Sequence, residues 1–153
     1  SVNDDRRWRF RLRVEPLRGD AYRLTLLQQY PGHNGRVPAV RRVGGLEGTP
    51  LLVALDQVLE LLRRDGYRSL REGAGNGSTS TGRELELSDA TGVRLGLLFL
   101  GLRPLRRVER MERVARGVRA MTDEEAYYWF SKCVAPGTGR RARRALRLLL
   151  SDS

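Results

Sequence analysis

Residues 83–102, RELELSDATGVRLGLLFLGL, decide how the chain folds. Leu85 and Leu87 alternate with Glu84, Glu86 and Ser88, the two-residue period of a half-buried strand. Asp89-Ala90-Thr91-Gly92 carries turn chemistry. Val93–Leu102 is then almost continuously apolar, which predicts a central strand covered on both faces. Gly96 and Gly101 would mark a bulge or a close backbone approach. On this reading the stretch is a β-hairpin.

A first hairpin lies upstream. Trp8–Val14 alternates strictly between an apolar residue and Arg7, Arg9, Arg11 and Arg13. Pro16 ends that strand and Arg18-Gly19-Asp20 turns the chain. Tyr22, Leu24 and Leu26 begin its partner, before Pro31-Gly32-His33-Asn34-Gly35 breaks it. A third, short strand over Val37–Val43 would sit at a sheet edge because of Pro38. Gly44–Gly48 is expected as a loop, with Thr49 capping a helix whose first residue is Pro50. Leu51, Leu52, Leu55, Val58, Leu59 and Leu62 give that helix an apolar stripe, and Gly66 is its expected end. Gly73–Gly82 has the composition of a flexible connector. It lacks the lysine and the following helix of a phosphate-binding loop.

Three helices follow. Leu105, Val108, Met111, Val114, Val118 and Met121 mark the first, with Pro104 near its start. Thr122-Asp123-Glu124-Glu125 is a capping box that opens the second, Ala126–Val134. Pro136-Gly137-Thr138-Gly139 separates it from Arg140–Leu150, which should bury Ala142, Ala145, Leu146 and Leu149. The sum is one α+β domain: two antiparallel hairpins in one sheet, a helix between them packed on the sheet, and a C-terminal layer of three helices. The sheet part spans about 6–102 and the helical part about 104–150.

The charge points to a partner. Among 153 residues, 29 are basic and 18 acidic, a formal net charge of +11, and Lys132 is the only lysine. Arginine in place of lysine fits a GC-rich genome, as do the abundant Leu, Ala, Gly and Val. The basic excess has no such explanation and suggests a polyanion. No apolar run approaches the roughly 20 residues of a membrane span. The N-terminal residues lack a signal-peptide core and Cys133 stands alone, so a reducing cytoplasm is the expected compartment, with no membrane association.

The basic residues divide into three groups. The row Arg7–Arg13 has three readings: a solvated strand face, a face paired with Glu84 and Glu86, or a nucleic-acid surface. Arg103–Arg119 holds seven arginines and two glutamates. Glu109–Arg113 and Glu112–Arg116 can pair at four-residue spacing, which leaves Arg106, Arg107, Arg110 and Arg119 in excess, and Arg103, Arg106, Arg107 and Arg110 are the candidate phosphate contacts. The last helix adds Arg140, Arg141, Arg143, Arg144 and Arg147 with no acid among them; some could pair with Asp123, Glu124 and Asp152 or with the helix's own C-terminal carbonyls, and the sharper reading is phosphate contact. Such arginine forks match phosphate oxygens bidentately and give salt-dependent, sequence-independent affinity.

Tyr127-Tyr128-Trp129-Phe130 spans a helical turn. Ala126, Trp129, Phe130 and Cys133 share a core face, which leaves Tyr127 and Tyr128 as candidates for a partner contact or base stacking. His33 has no cysteine or acidic cluster beside it, so neither a metal nor a cofactor is expected, and Cys133 reads as a buried small hydrophobe. No catalytic motif is visible, which makes a non-enzymatic protein the expected class.

Residues 92–100, then Arg110-Met111-Glu112, Met121 to Cys133 with its Glu-Glu-Ala-Tyr-Tyr-Trp-Phe-Ser-Lys-Cys string, and the closing 141–150 resemble a family of small uncharacterised bacterial proteins. That family is associated with restriction-like or phage-defence gene neighbourhoods. The resemblance covers the C-terminal part and implies an accessory role near DNA, beside other defence proteins, with no catalytic residues to carry over. The expectation is therefore a cytoplasmic accessory protein that binds nucleic acid, DNA foremost, through arginine-rich helices. The alternative is a protein–protein adaptor whose basic surface meets an acidic partner.

Overall fold

A computed structural model describes residues 9–30, 39–65, 68–72 and 83–151. The expected elements at His33, Pro38, Gly66 and 73–82, and the residues Arg7 and Trp8, lie outside them. The strands are β1 Arg9–Pro16, β2 Tyr22–Tyr30, β3 Ala39–Glu47, β4 Arg68–Glu72 and β5 Arg83–Leu87. The helices are α1 Gly48–Asp65, α2 Asp89–Leu102, α3 Val108–Ala120, α4 Asp123–Cys133 and α5 Gly139–Ser151. The sheet is antiparallel throughout, in the order β3-β2-β1-β5-β4.

The α+β class and the first hairpin stand as the alternation predicts. Phe10 pairs with Gln28 and Leu12 with Leu26 across β1–β2, and Gly19 turns the chain with a φ of 72°. Phe10, Leu12, Leu24, Leu26, Leu85 and Leu87 are buried on the inner face of the sheet. β3 is an edge strand, as expected, but it runs on through Gly44 to Glu47 where the glycines suggest a loop. Gly44 and Gly45 pair with Leu26 and Thr25 of β2, so the ladder carries the strand through both glycines.

Val93–Leu102 is not a strand. It belongs to α2, and Asp89-Ala90-Thr91-Gly92 is that helix's first turn. Ser88 is its N-cap, accepting from the Thr91 N–H at 3.4 Å, and Asp89 supplies an acid in the first turn. The run is leucine-rich, with Val93 as its only β-branched residue, so its composition favours a helix. It resembles a central strand because a helix enclosed on all sides shows neither period. The second hairpin exists, but β5 pairs with β4, and the polar stretch Arg68–Glu72 carries no strand signal of its own.

α2 lies between the sheet and the other helices. It touches β1, β2 and β3 on one side and α1, α3, α4 and α5 elsewhere. Two glycines make this enclosure fit. A Cβ on Gly92 would collide with the Phe10 ring, and one on Gly96 with the Phe130 ring. Those two rings meet edge to face at 5.7 Å. The expected close approach at Gly96 is therefore real, with no bulge.

The C-terminal layer has three helices, as predicted. The Thr122–Glu125 capping box forms in full, with N–H···O distances of 2.8 and 3.1 Å. Arg94 on α2 clamps the α3–α4 junction by donating to Val118 O, Met121 O and the Asp123 carboxylate at 2.7–3.0 Å. α3 begins at Val108, so Leu105 lies before it. α5 departs from the expected burial: Leu146 is buried, but Ala145 and Leu149 are exposed. Its inward line instead includes Gly139, half-buried Arg143 and Arg147, and Leu150, whose side chain occupies the space beside Gly117.

Gly92→Ala should destabilise the fold by about 1–3 kcal/mol, the ordinary cost of overpacking a filled core. Thermal unfolding measures it. A Tm equal to that of the unaltered chain would show that the Phe10 ring moves aside freely and does not set the α2–sheet distance.

Candidate nucleic-acid interface

The arginines singled out from sequence are placed by three elements. Arg103 caps the end of α2 and Arg107 the start of α3, so Arg103, Arg106 and Arg107 stand in the connection between helices rather than on one. All three are exposed. Arg110 lies in the first turn of α3, where its Nη2 donates to Ser151 Oγ at 3.4 Å. Arg113 donates to Ser151 O at 3.3 Å. These contacts hold the end of α5 against α3.

On α5, Arg140, Arg141 and Arg144 are exposed. Arg143 and Arg147 turn inward. Arg143 Nη1 donates to Cys133 O at 2.7 Å, and Arg147 Nη1 donates to Leu100 O at 3.2 Å. Both acceptors belong to the last turns of helices, α4 and α2, whose carbonyls lack intrahelical donors and carry the negative end of the dipole. Two of the nine candidate arginines thus serve as helix C-caps supplied from a neighbouring helix.

Arg110 of the first basic region comes close to the second. The pKa of Arg147 is lowered by burial and by the charge of Arg143, with further contributions from Arg110 and Arg144. Arg110 comes from α3 and the others from α5, so charges distant in sequence act on one another. Among the described residues none of the nine forms an ion pair. The pairs expected at Glu109–Arg113 and Glu112–Arg116 do not form there either, and Arg113 donates to the end of α5 instead.

The strand arginines behave differently. Arg13 lies opposite Glu84 in the β1–β5 register and donates to it through Nε and Nη2 at 3.2 and 3.0 Å. Arg11 approaches the same carboxylate at 3.9 Å. Pairing across the ladder is thus the reading that holds for Arg11 and Arg13, and Arg9 remains exposed. Arg23 on β2 is likewise shared between Glu15 and Glu47, at 3.4 and 3.7 Å. Half-exposed pairs such as these contribute only about 0–1 kcal/mol, but they neutralise much of this face.

In the aromatic run, Ala126, Phe130 and Cys133 are buried as expected, while Trp129 is half-buried. Tyr127 is half-buried and Tyr128 is 57% exposed. Tyr128 packs edge to face on Trp129 at 5.7 Å, with Lys132 Nζ 5.5 Å from its ring centre. No helix among the described residues is long and apolar enough to cross a membrane. Sequence reasoning missed the structural use of Arg143 and Arg147, because no local signal marks an arginine that finds a carbonyl of another helix.

Residues 10–152 match the family described as Domain of unknown function (DUF7680), and the chain belongs to that family. The match runs across both the sheet and the helices. No curated protein and no solved structure matches the chain.

Cys133 sits beneath the capping arginines. Burial pushes its thiol up to about 11 from 9.0, although Arg143 and Arg147 pull the other way. The neutral thiol is thus favoured in the fold. An acid raised on folding adds stability below its unfolded pKa and loses it as pH climbs through the folded one. The stability gap between the unaltered chain and Cys133→Ala should therefore narrow between about pH 9 and 11, by on the order of 2 kcal/mol. Denaturant titrations of both proteins across that range test it. A gap independent of pH would mean that the thiol ionises as readily in the fold as in the unfolded chain.

Proposed function

We propose that this member of the DUF7680 family is a non-catalytic accessory protein that binds nucleic acid, DNA foremost, on the basic surface formed by the α2–α3 connection, the start of α3 and α5. The observation that carries the reading is the convergence of Arg110 with Arg143, Arg144 and Arg147, with no ion pair to any of them among the described residues. Like charges so placed repel one another, and an arriving row of phosphates relieves that repulsion. Arg143 and Arg147 are committed to carbonyls, so they add field and rigidity. Arg106, Arg107, Arg140, Arg141 and Arg144 supply exposed forks for phosphate oxygens. A capping role for the inward pair fixes the backbone from which the outward ones project.

The setting we assign is a multi-protein bacterial anti-phage defence system in the cytoplasm. Its support is the resemblance of the C-terminal strings to proteins of such neighbourhoods. A second reading, an adaptor that meets an acidic protein partner, draws on the exposure of Tyr128 at 57% and Leu148 at 48% on α4 and α5. Aromatic and apolar anchors of this kind suit a protein contact.

Binding of a short duplex measured across salt concentrations separates the two readings. The affinity should fall steeply with salt. Arg106→Ala/Arg107→Ala and Arg140→Ala/Arg144→Ala should each flatten the log–log slope by up to about 2, one unit for each phosphate no longer neutralised. Duplex affinity that is flat in salt, or unchanged in both double variants, would defeat the nucleic-acid reading. Equal or tighter binding of polyglutamate would favour the adaptor.

A further inference from the structure

The aromatic segment of α4 leaves one ring in solvent. Ala126, Phe130 and Cys133 are buried in the core, and at about 100° per residue Tyr128 points almost directly away from them. Two neighbours nevertheless hold its ring. Trp129, itself half-buried, meets it edge to face, with centroids 5.7 Å apart and planes at 86°. Lys132, one turn further on, places Nζ 5.5 Å from the ring centre. The ring is therefore positioned by contacts while Tyr128 stays 57% exposed. A tyrosine has two side-chain torsions to fix, so little order is left for a ligand to impose.

The basic surface begins at the same end of α4. Lys132 lies in the last turn, and the carbonyl of the next residue, Cys133, accepts from Arg143 of α5 at 2.7 Å. The Gly139 N–H donates to Ala135 O at 2.9 Å, and a Cβ on Gly139 would collide with Cys133 O. The first turn of α5, with exposed Arg140 and Arg141, thus rests on the end of α4. Tyr128 is about 6 Å along the helix axis from Lys132. Beyond Tyr128 the charge reverses: Asp123, Glu124 and Glu125 of the first turn of α4 are all exposed.

We propose that Tyr128 is a stacking platform for an unpaired base, so that the preferred nucleic acid is single-stranded where it passes from α5 onto α4. The inference rests on the nucleic-acid reading given above. A duplex keeps its bases stacked inside and offers an outward-pointing ring only sugar and phosphate. Laid along α4, its phosphates would also meet the three acids. A base turned out onto Tyr128 carries no charge and leaves its phosphate on the Lys132 side. The lysine stem is flexible, so the ammonium can yield the ring face to the base and meet that phosphate. A basic track beside an aromatic ring is the combination that binds single strands without sequence preference, because every base has a π-face.

Fluorescence anisotropy with a labelled oligothymidylate and with a duplex of equal length, in the same salt, tests the proposal. The single strand should bind more tightly than the duplex. Tyr128→Ala should weaken strand binding by about tenfold and leave the duplex unchanged. The salt slope of strand binding should stay as it was, since no phosphate contact is lost. Tyr128→Phe, which keeps the ring, should bind as the unaltered chain does. Circular dichroism and Tm establish that each variant is folded. A duplex bound as tightly as the strand, or a Tyr128→Phe variant as weak as Tyr128→Ala, would overturn the proposal and leave the phosphate surface standing. Undiminished strand binding by Tyr128→Ala would do the same and assign the ring to a protein contact. Failure of both oligonucleotides to bind would remove the nucleic-acid reading and this inference with it.

Discussion

The enclosure of α2 is the constraint on which the rest of the structure depends. Ten of its fourteen residues are buried, and it meets three strands and four helices. Such a helix gains its stability from being covered, and it can be covered closely only where its own surface is flat. Gly92 and Gly96 provide that flatness against Phe10 of the sheet and Phe130 of α4. The edge-to-face contact of the two rings then links the sheet to the outer helices past the helix between them. Arg94, the charged residue of the helix's middle, avoids an unpaired burial by directing its donors to two carbonyls and a carboxylate at the α3–α4 junction.

Enclosure also creates the electrostatic problem that α5 solves. Helices α2 and α4 end inside or beside the core, and the carbonyls of their last turns need donors. Arg147 and Arg143 reach Leu100 O and Cys133 O from α5. This draws two guanidinium groups towards one another and towards Arg110, and the pKa of Arg147 is lowered, first by burial and then by the charges of Arg143 and Arg110. The concentration of positive charge is thus partly a consequence of how the helix ends are satisfied. A surface built for that purpose is also suited to an anion, because the charges are held on rigid elements and have no carboxylate partner among the described residues.

Much of this is legible in the sequence where period or local chemistry carries the signal. Strict alternation at Trp8–Val14 identifies the first hairpin, and the charges opposite it in Glu84 and Glu86 foretell the Arg13–Glu84 ladder pair. The Thr122–Glu125 capping box is explicit. The departures have common physical causes. α2 reads as a strand because complete burial erases periodicity, and only Ser88-Asp89 and the scarcity of β-branched residues distinguish helix from strand. β4 escapes notice because an edge strand of Arg-Ser-Leu-Arg-Glu has too little apolar alternation to stand out.

The candidate site is legible as a set of residues and illegible as an arrangement. Hydrophobic patterning turns every arginine of α5 outward and asks Ala145 and Leu149 to be inside. The fold does the reverse for Arg143, Arg147 and Leu149, because carbonyls at the ends of α2 and α4 can satisfy a guanidinium better than the core can use another leucine. What periodicity cannot represent is a tertiary hydrogen-bond acceptor. Where helix ends cluster, an arginine is as much a structural residue as a phenylalanine, and the basic excess of such a chain has to be divided between the two roles. Of the nine candidates, the division leaves Arg103, Arg106, Arg107, Arg140, Arg141 and Arg144 exposed and without a carboxylate partner among the described residues, beside the inward Arg143 and Arg147 that cap helix ends.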